Sequence, residues 1–165
     1  MSTSLRIKDN KENELRPVKS DFRCVIIKAV WNEHITGALA AGAQEHFKKI
    51  GVPEANVSLV EVPGAVELVY AARRVIDSVR PDAVIILGCV IRGDTPHFDY
   101  VCDNVTLGTA RLNAEGRVPV IFGLLTVDTE QQALDRAGGL LGNKGTEAAE
   151  AAVAMSNLSV AFPVR

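Results

Sequence analysis

Short apolar runs rich in Val and Ile alternate along this chain with longer segments in which apolar residues recur every three or four positions. The runs at residues 23–30, 56–62, 82–91 and 119–125 are mostly apolar on both faces. That pattern predicts strands covered by helices on each side, as in a parallel sheet. Residues 33–50 carry Ile35, Leu39, Ala43, Phe47 and Ile50 at helical steps, and Gly51-Val52-Pro53 supplies the stop. Residues 65–79 behave alike, with Val66, Val69, Val75, Ile76 and Val79 apolar and Arg80-Pro81 ending the pattern. Further helices are predicted over 98–115, 130–137 and 146–157. The rhythm is that of βαβ units, which predicts an α/β domain over 22–165: a three-layer αβα sandwich on a four-stranded parallel sheet.

The first 21 residues alternate charges (Lys8, Asp9, Lys11, Glu12, Glu14, Arg16, Lys19, Asp21) without an apolar centre, so they predict a flexible arm and no secretion signal. The longest apolar stretch, 83–91, is far short of the roughly 20 residues a membrane-spanning helix needs. With 165 residues, 47% apolar and a formal net charge of -2, the chain can bury a core without a disulfide or metal staple. Cys24, Cys89 and Cys102 form no C-x-x-C pair and read as reduced thiols of a cytoplasmic protein. The balance of 18 basic and 20 acidic residues leaves no surplus of positive charge for a phosphate backbone. Neither nucleic acid nor a membrane is an expected partner.

Open parallel sheets bind ligands beyond the carboxyl ends of their strands, which directs attention to Trp31-Asn32, to 63–67, to 88–97 and to Leu125-Thr126. No G-x-G-x-x-G follows the first strand, which argues against a dinucleotide. Gly88 and Gly93 have P-loop spacing, but Asp94 and Thr95 stand where Lys and Ser/Thr are required, and a carboxylate there repels a triphosphate. No nucleophile elbow occurs. Lys28 is conceivable as a Schiff-base amine, although a solvated or interface position is the expected one, since burying the cation needs a partner.

What survives is Gly93-Asp94-Thr95-Pro96-His97-Phe98: a tight loop, a hydroxyl and backbone amides before a helix start that attracts an anion. His97 is suited to proton transfer near neutrality, although a His at a helix start is often only a surface residue. His34 and His46 are expected to be solvated side chains of an amphipathic helix. Trp31 could stack on a planar heterocycle or cap the core. Glu67 could bond a polyol or favour its helix dipole. Arg136, ahead of two glycine-rich stretches, offers a forked phosphate donor or a solvated charge.

Together these segments resemble the lumazine synthase family from about Phe22 to Leu158. The resemblance is carried in order by Ala29-Val-Trp-Asn32, Val62-Pro-Gly-Ala-Val-Glu67, Leu87-Gly-Cys-Val-Ile-Arg-Gly-Asp-Thr-Pro-His-Phe-Asp-Tyr100, Phe122-Gly-Leu-Leu-Thr126, Glu130-Gln-Gln-Ala-Leu-Asp-Arg-Ala-Gly138 and Gly142-Asn-Lys-Gly-Thr-Glu147. It implies a flavodoxin-like sheet and condensation of 5-amino-6-ribitylaminouracil with 3,4-dihydroxy-2-butanone 4-phosphate, without metal or redox cofactor. On that resemblance Trp31, beside Asn32, stacks on the pyrimidine, and Ala65, Val66, Glu67, Cys89, Val90 and Ile91 line the ring and ribityl pocket. Asp94 and Thr95 flank the phosphorylated substrate, with Asp94 turned from the anion, and Arg92, Arg136 or the helix dipole offsets its charge. His97 and Arg136 carry the chemistry. Sites in the family lie between neighbouring subunits, which would bring Phe122, Arg136 and Lys144 from the adjacent chain of a pentamer.

Some members of the family build a 60-subunit shell of twelve pentamers, and Gly142-Asn-Lys-Gly145 resembles theirs. The arm is expected either to pair with a neighbour's sheet or to remain disordered, and riboflavin synthase is a candidate partner. Val66 departs from the family, which usually has an aromatic residue there; the lost area would weaken binding by about 1 kcal/mol. The rivals are a binding or shell-forming relative without catalysis, and a flavodoxin-like electron carrier. The second lacks the Ser/Thr-rich phosphate loop after its first strand.

Overall fold

A computed structural model describes residues 16, 17 and 19–163. The elements run β1 (Cys24–Ala29), α1 (Glu33–Lys49), β2 (Val57–Val62), α2 (Glu67–Ser78), β3 (Ala83–Ile91), α3 (His97–Ala114), β4 (Val120–Val127), α4 (Glu130–Leu134), β5 (Ala137–Gly139), β6 (Gly142–Asn143) and α5 (Lys144–Ala161). The four long strands are parallel in the order β2-β1-β3-β4. Each predicted strand is present, because runs apolar on both faces are stable only with a helical layer on each side.

Alternation along the strands feeds two cores. Cys24, Ile26, Ile85, Leu87 and Leu125 face α1 and α5, where Phe22 and Phe47 pack with ring centroids 5.8 Å apart. Val25, Ile27, Val84, Ile86 and Leu124 face α2 and α3. The helix pair α1/α5 crosses closely: a Cβ on Gly145 would drive into the Leu39 carbonyl. Among the described residues no helix is long and apolar enough to cross a membrane.

Several boundaries differ from the expectation, α5 running on to Ala161 and β4 to Val127. The helix predicted over 130–137 ends at Leu134, because Ala137–Gly139 turns back in a short antiparallel hairpin with Gly142–Asn143. Gly138 at φ 116° and Gly142 at φ 80° adopt backbone that other residues avoid. The two glycine-rich stretches after Arg136 are therefore paired with each other. Helix α5 starts two residues early because the Asn143 side chain accepts from the amides of Gly145 and Thr146. Helix α2 starts at Glu67 rather than 65, leaving 63–66 as a loop. The arm expected over 1–21 falls largely in 1–15 and Val18, outside the described residues. Of the remainder, the Arg16 carbonyl accepts from Asn157 Nδ2 at 3.1 Å and Lys19 Nζ meets Asp82 Oδ1 at 3.0 Å.

Candidate functional site

From β1 the chain crosses outward to β2 and then returns to β3 on the other side of β1, so the strand order reverses between β1 and β3. Connections that diverge in this way leave a crevice beyond the strand ends. The crevice is a cavity of about 670 Å³, lined by Trp31 and Asn32 after β1, residues 63–67 after β2, Cys89–Ile91 at the end of β3, and Gly93, Thr95, His97, Phe98 and Val101.

The Trp31 wall is built by a strained turn. Beyond β1 the backbone keeps pairing with the β2 side, Val30 N donating to Val62 O at 2.8 Å and Trp31 N to Pro63 O at 3.3 Å. Asn32 then takes a left-handed conformation, φ 59° and ψ 46°, which Asn tolerates better than most residues. Its carbonyl accepts from the amides of Ile35 and Thr36. Its Nδ2 donates across the crevice to Cys89 O at 3.0 Å. The indole itself is left 77% exposed.

On the β2 side the Glu67 carboxylate lies over Gly64, 3.2 Å from where a Cβ would stand. Val66 is 42% exposed at the same wall. At the far end Pro96 caps α3, and the Asp99 and Tyr100 amides fold back onto its carbonyl. The His97 and Phe98 amides of this first turn have no intrahelical acceptor. His97 is exposed at the mouth, one helical turn from Val101. Burial pushes the Cys89 thiol up to about 11, with Glu130 adding to the effect.

Two expectations about charge are corrected. Arg92 does not offset a carboxylate at Asp94: its Nε donates to Asp128 at 3.0 Å, its Nη1 to Asp99 at 3.2 Å, and its guanidinium sits 4.0 Å over the Phe98 ring. Lys28 is not solvated; it is buried with Glu33 and Glu61 as partners. Among the histidines, His34 is exposed and meets Glu130 at 2.6 Å. His46 is buried, against the expectation of a solvated side chain, because its position on α1 falls in the stripe with Leu39 and Ala43.

The residues singled out from sequence fall into two groups. Trp31, Asn32, Ala65, Val66, Glu67, Cys89, Val90, Ile91, Thr95 and His97 line the crevice, whereas Asp94 is exposed and does not. Phe122, Arg136 and Lys144 lie elsewhere, on a groove of about 450 Å³ along the β4 side of the sheet that shares no residue with the crevice. There the Lys144 amide donates to the Arg136 carbonyl at 2.8 Å, so the hairpin brings both cations to one edge. Arg136 Nη1 donates to Gln132 O at 2.8 Å and Lys144 Nζ pairs with Glu147 at 2.8 Å. Phe98 and Val101 were missed as lining residues. The available signal was helical spacing: Val101 stands four residues after His97 and three after Phe98.

Residues 21–159 match the family model for 6,7-dimethyl-8-ribityllumazine synthase. The chain is 52% identical over 139 residues to a protein of Phocaeicola vulgatus bearing that name, covering 84% of this chain and 83% of the relative. A relative of the same name from Bacteroides fragilis is 54% identical over 130 residues, 79% of this chain and 91% of its own. One from Porphyromonas gingivalis is 47% identical over 158 residues, 96% and 98% of the two chains.

Proposed function

Because the chain belongs to the 6,7-dimethyl-8-ribityllumazine synthase family, we propose that it is the riboflavin-biosynthesis transferase that condenses 5-amino-6-ribitylaminouracil with 3,4-dihydroxy-2-butanone 4-phosphate, releasing phosphate and water. The observation that carries the assignment of the site is one crevice at the strand-order reversal holding an exposed indole, a carboxylate, a hydroxyl at a helix start and a histidine. The chemistry asks for those parts. An amine adds to a ketone and forms an imine with loss of water, phosphate leaves, and the second amine closes the ring with loss of a second water.

Trp31 offers its exposed face to the pyrimidine, with Ala65, Val66, Val90 and Ile91 as apolar walls. Glu67, poised over Gly64, accepts from ribityl hydroxyls. The ketone phosphate enters from the α3 start, where Thr95 and the free first-turn amides favour an anion. His97, exposed there, takes the proton lost by the attacking amine and returns one to the departing oxygen. Holding two intrinsically reactive partners in register matters as much as proton transfer.

Phe122, Arg136 and Lys144 are separated from the crevice within the chain. We take them to complete the crevice of an adjacent subunit, placing a fixed cation against the phosphate. Ring closure by five subunits satisfies such a head-to-tail contact, and Gly142-Asn-Lys-Gly145 favours assembly of twelve rings into a shell. We also place the enzyme in the cytoplasm, with riboflavin synthase as the partner that takes its product. The decisive experiment mixes the two substrates with assembled protein and follows product absorbance. The expected rate stands well above the uncatalysed background and falls about tenfold or more in His97→Ala. A rate equal to background would leave a binding or shell protein.

A further inference from the structure

The mechanism above leaves one buried cation unused. Alternation sets Lys28 on the α1/α5 face of β1, next in line after Cys24 and Ile26, and its side chain is 4% exposed. Its Nζ donates to both carboxylate oxygens of Glu33 at 2.6 Å and meets Glu61 Oε1 at 2.9 Å. Burial alone would lower its pKa, but the hydrogen bonds and charge of the two carboxylates outweigh it and hold it above the ordinary lysine value. The residue is therefore an ammonium, not a nucleophilic amine, and it does not line the crevice.

The two carboxylates it holds lie just outside the crevice, each flanking residues that line it. Glu33 opens α1 directly after Trp31-Asn32, and Glu61 lies two residues before Pro63 and the loop that carries Val66 and Glu67. The sheet register sets Lys28 opposite Glu61. The exposed indole has little packing of its own, so the position of its turn depends on these ties, on the Val30 and Trp31 amide bonds to Val62 and Pro63, and on the Asn32 bridge to Cys89. Filling the sheet face does not require a charge, because a buried ion pair is commonly no more stabilising than an apolar residue of similar volume.

We propose that Lys28 is a positioning residue for the pyrimidine wall: by clamping Glu33 and Glu61 it fixes the Trp31 turn and the 63–67 loop against each other. The kinetic side of this inference rests on the reading of the crevice as the synthase site; the spectroscopic side does not. Trp31 is the sole tryptophan, so its emission anisotropy and acrylamide quenching report the turn in the ligand-free protein.

The test compares full-length wild type with Lys28→Met and Lys28→Arg. Expected for Lys28→Met is a melting temperature close to wild type, lower anisotropy and stronger quenching of Trp31. The KM for the ribitylaminopyrimidine should rise roughly tenfold, while the KM for the four-carbon phosphate and kcat stay near wild type. Lys28→Arg should restore most of the difference. Unchanged Trp31 emission and pyrimidine KM in Lys28→Met overturn the proposal, as does a uniform fall of kcat with melting temperature. If Lys28→Met fails to assemble, Glu61→Gln and Glu33→Gln, at exposed carboxylates, give the same readout, and no change in either overturns it. If wild type makes no lumazine, the proposed function fails while the anisotropy comparison still decides the clamp.

Discussion

Trp31→Ala isolates the stacking wall. The indole is 77% exposed in the free protein, so truncation removes little folded-state packing, and the melting temperature should move no more than for an ordinary surface change, about 0.5 kcal/mol or less. Its contribution appears only when a ligand covers it. A side chain of this kind buries roughly 150–250 Å² when fully covered. A ring laid on one face hides about half of the exposed part, on the order of 80 Å². At about 25 cal/mol per Å² the loss is about 2 kcal/mol, roughly thirtyfold in affinity. Stacking acts on substrate and transition state alike, so the loss falls on KM and leaves kcat largely intact. The assay is steady-state lumazine formation at saturating ketone phosphate with the pyrimidine varied, corrected for background. A pyrimidine KM within twofold of wild type, or a fall in kcat with KM unchanged, would refute the stacking assignment.

Further outcomes follow from features at a distance from that wall. If neighbouring subunits share each site, the impaired His97→Ala and Arg136→Ala proteins should recover activity when unfolded, mixed and reassembled. Random rings give about one quarter of sites both wild-type halves, and no recovery in mixed particles refutes the sharing. Gly145→Ala should cost about 1–3 kcal/mol or more, because a new methyl meets the Leu39 backbone, which cannot step aside as a side chain would; differential scanning calorimetry measures it. Burial lowers the pKa of His46, with Glu150 opposing and Lys49 assisting. Its neutral form is favoured on folding, so the stability it contributes is present above about 6.5 and is lost as pH falls below that value. His46→Gln should flatten the slope of denaturant stability between pH 7 and pH 5, and an unchanged slope refutes the assignment.

The parts of this structure that sequence could reveal are those governed by local patterns. Val and Ile runs apolar on both faces gave the strands of a covered parallel sheet, and parallel topology directed attention to their carboxyl ends, where Trp31, Glu67 and His97 do meet. Helix α4 was overextended because Ala133 and Ala137 keep a helical step, while the turn preference of Gly138-Gly139 won the backbone. His46 was misplaced although it stands seven residues after Leu39 and three after Ala43, on the buried stripe of α1. Lys28 could not be read, since its pairing with Glu61 depends on a register between strands separated by a whole helix. The division of the named residues between a crevice and a β4 edge is likewise a product of strand order, which no window of sequence contains.

Cys89 has a consequence for selectivity. Its sulfur lines a pocket proposed to receive an electrophilic hydroxyketone, where an ordinary thiolate would compete with the amine for the carbonyl carbon. With the thiol pushed up to about 11 by burial and the nearby Glu130, only about one molecule in ten thousand carries the reactive anion at neutral pH. The wall can therefore present a polarisable, close-packing atom to the substrate while remaining chemically silent, and the pocket tolerates its own reactant.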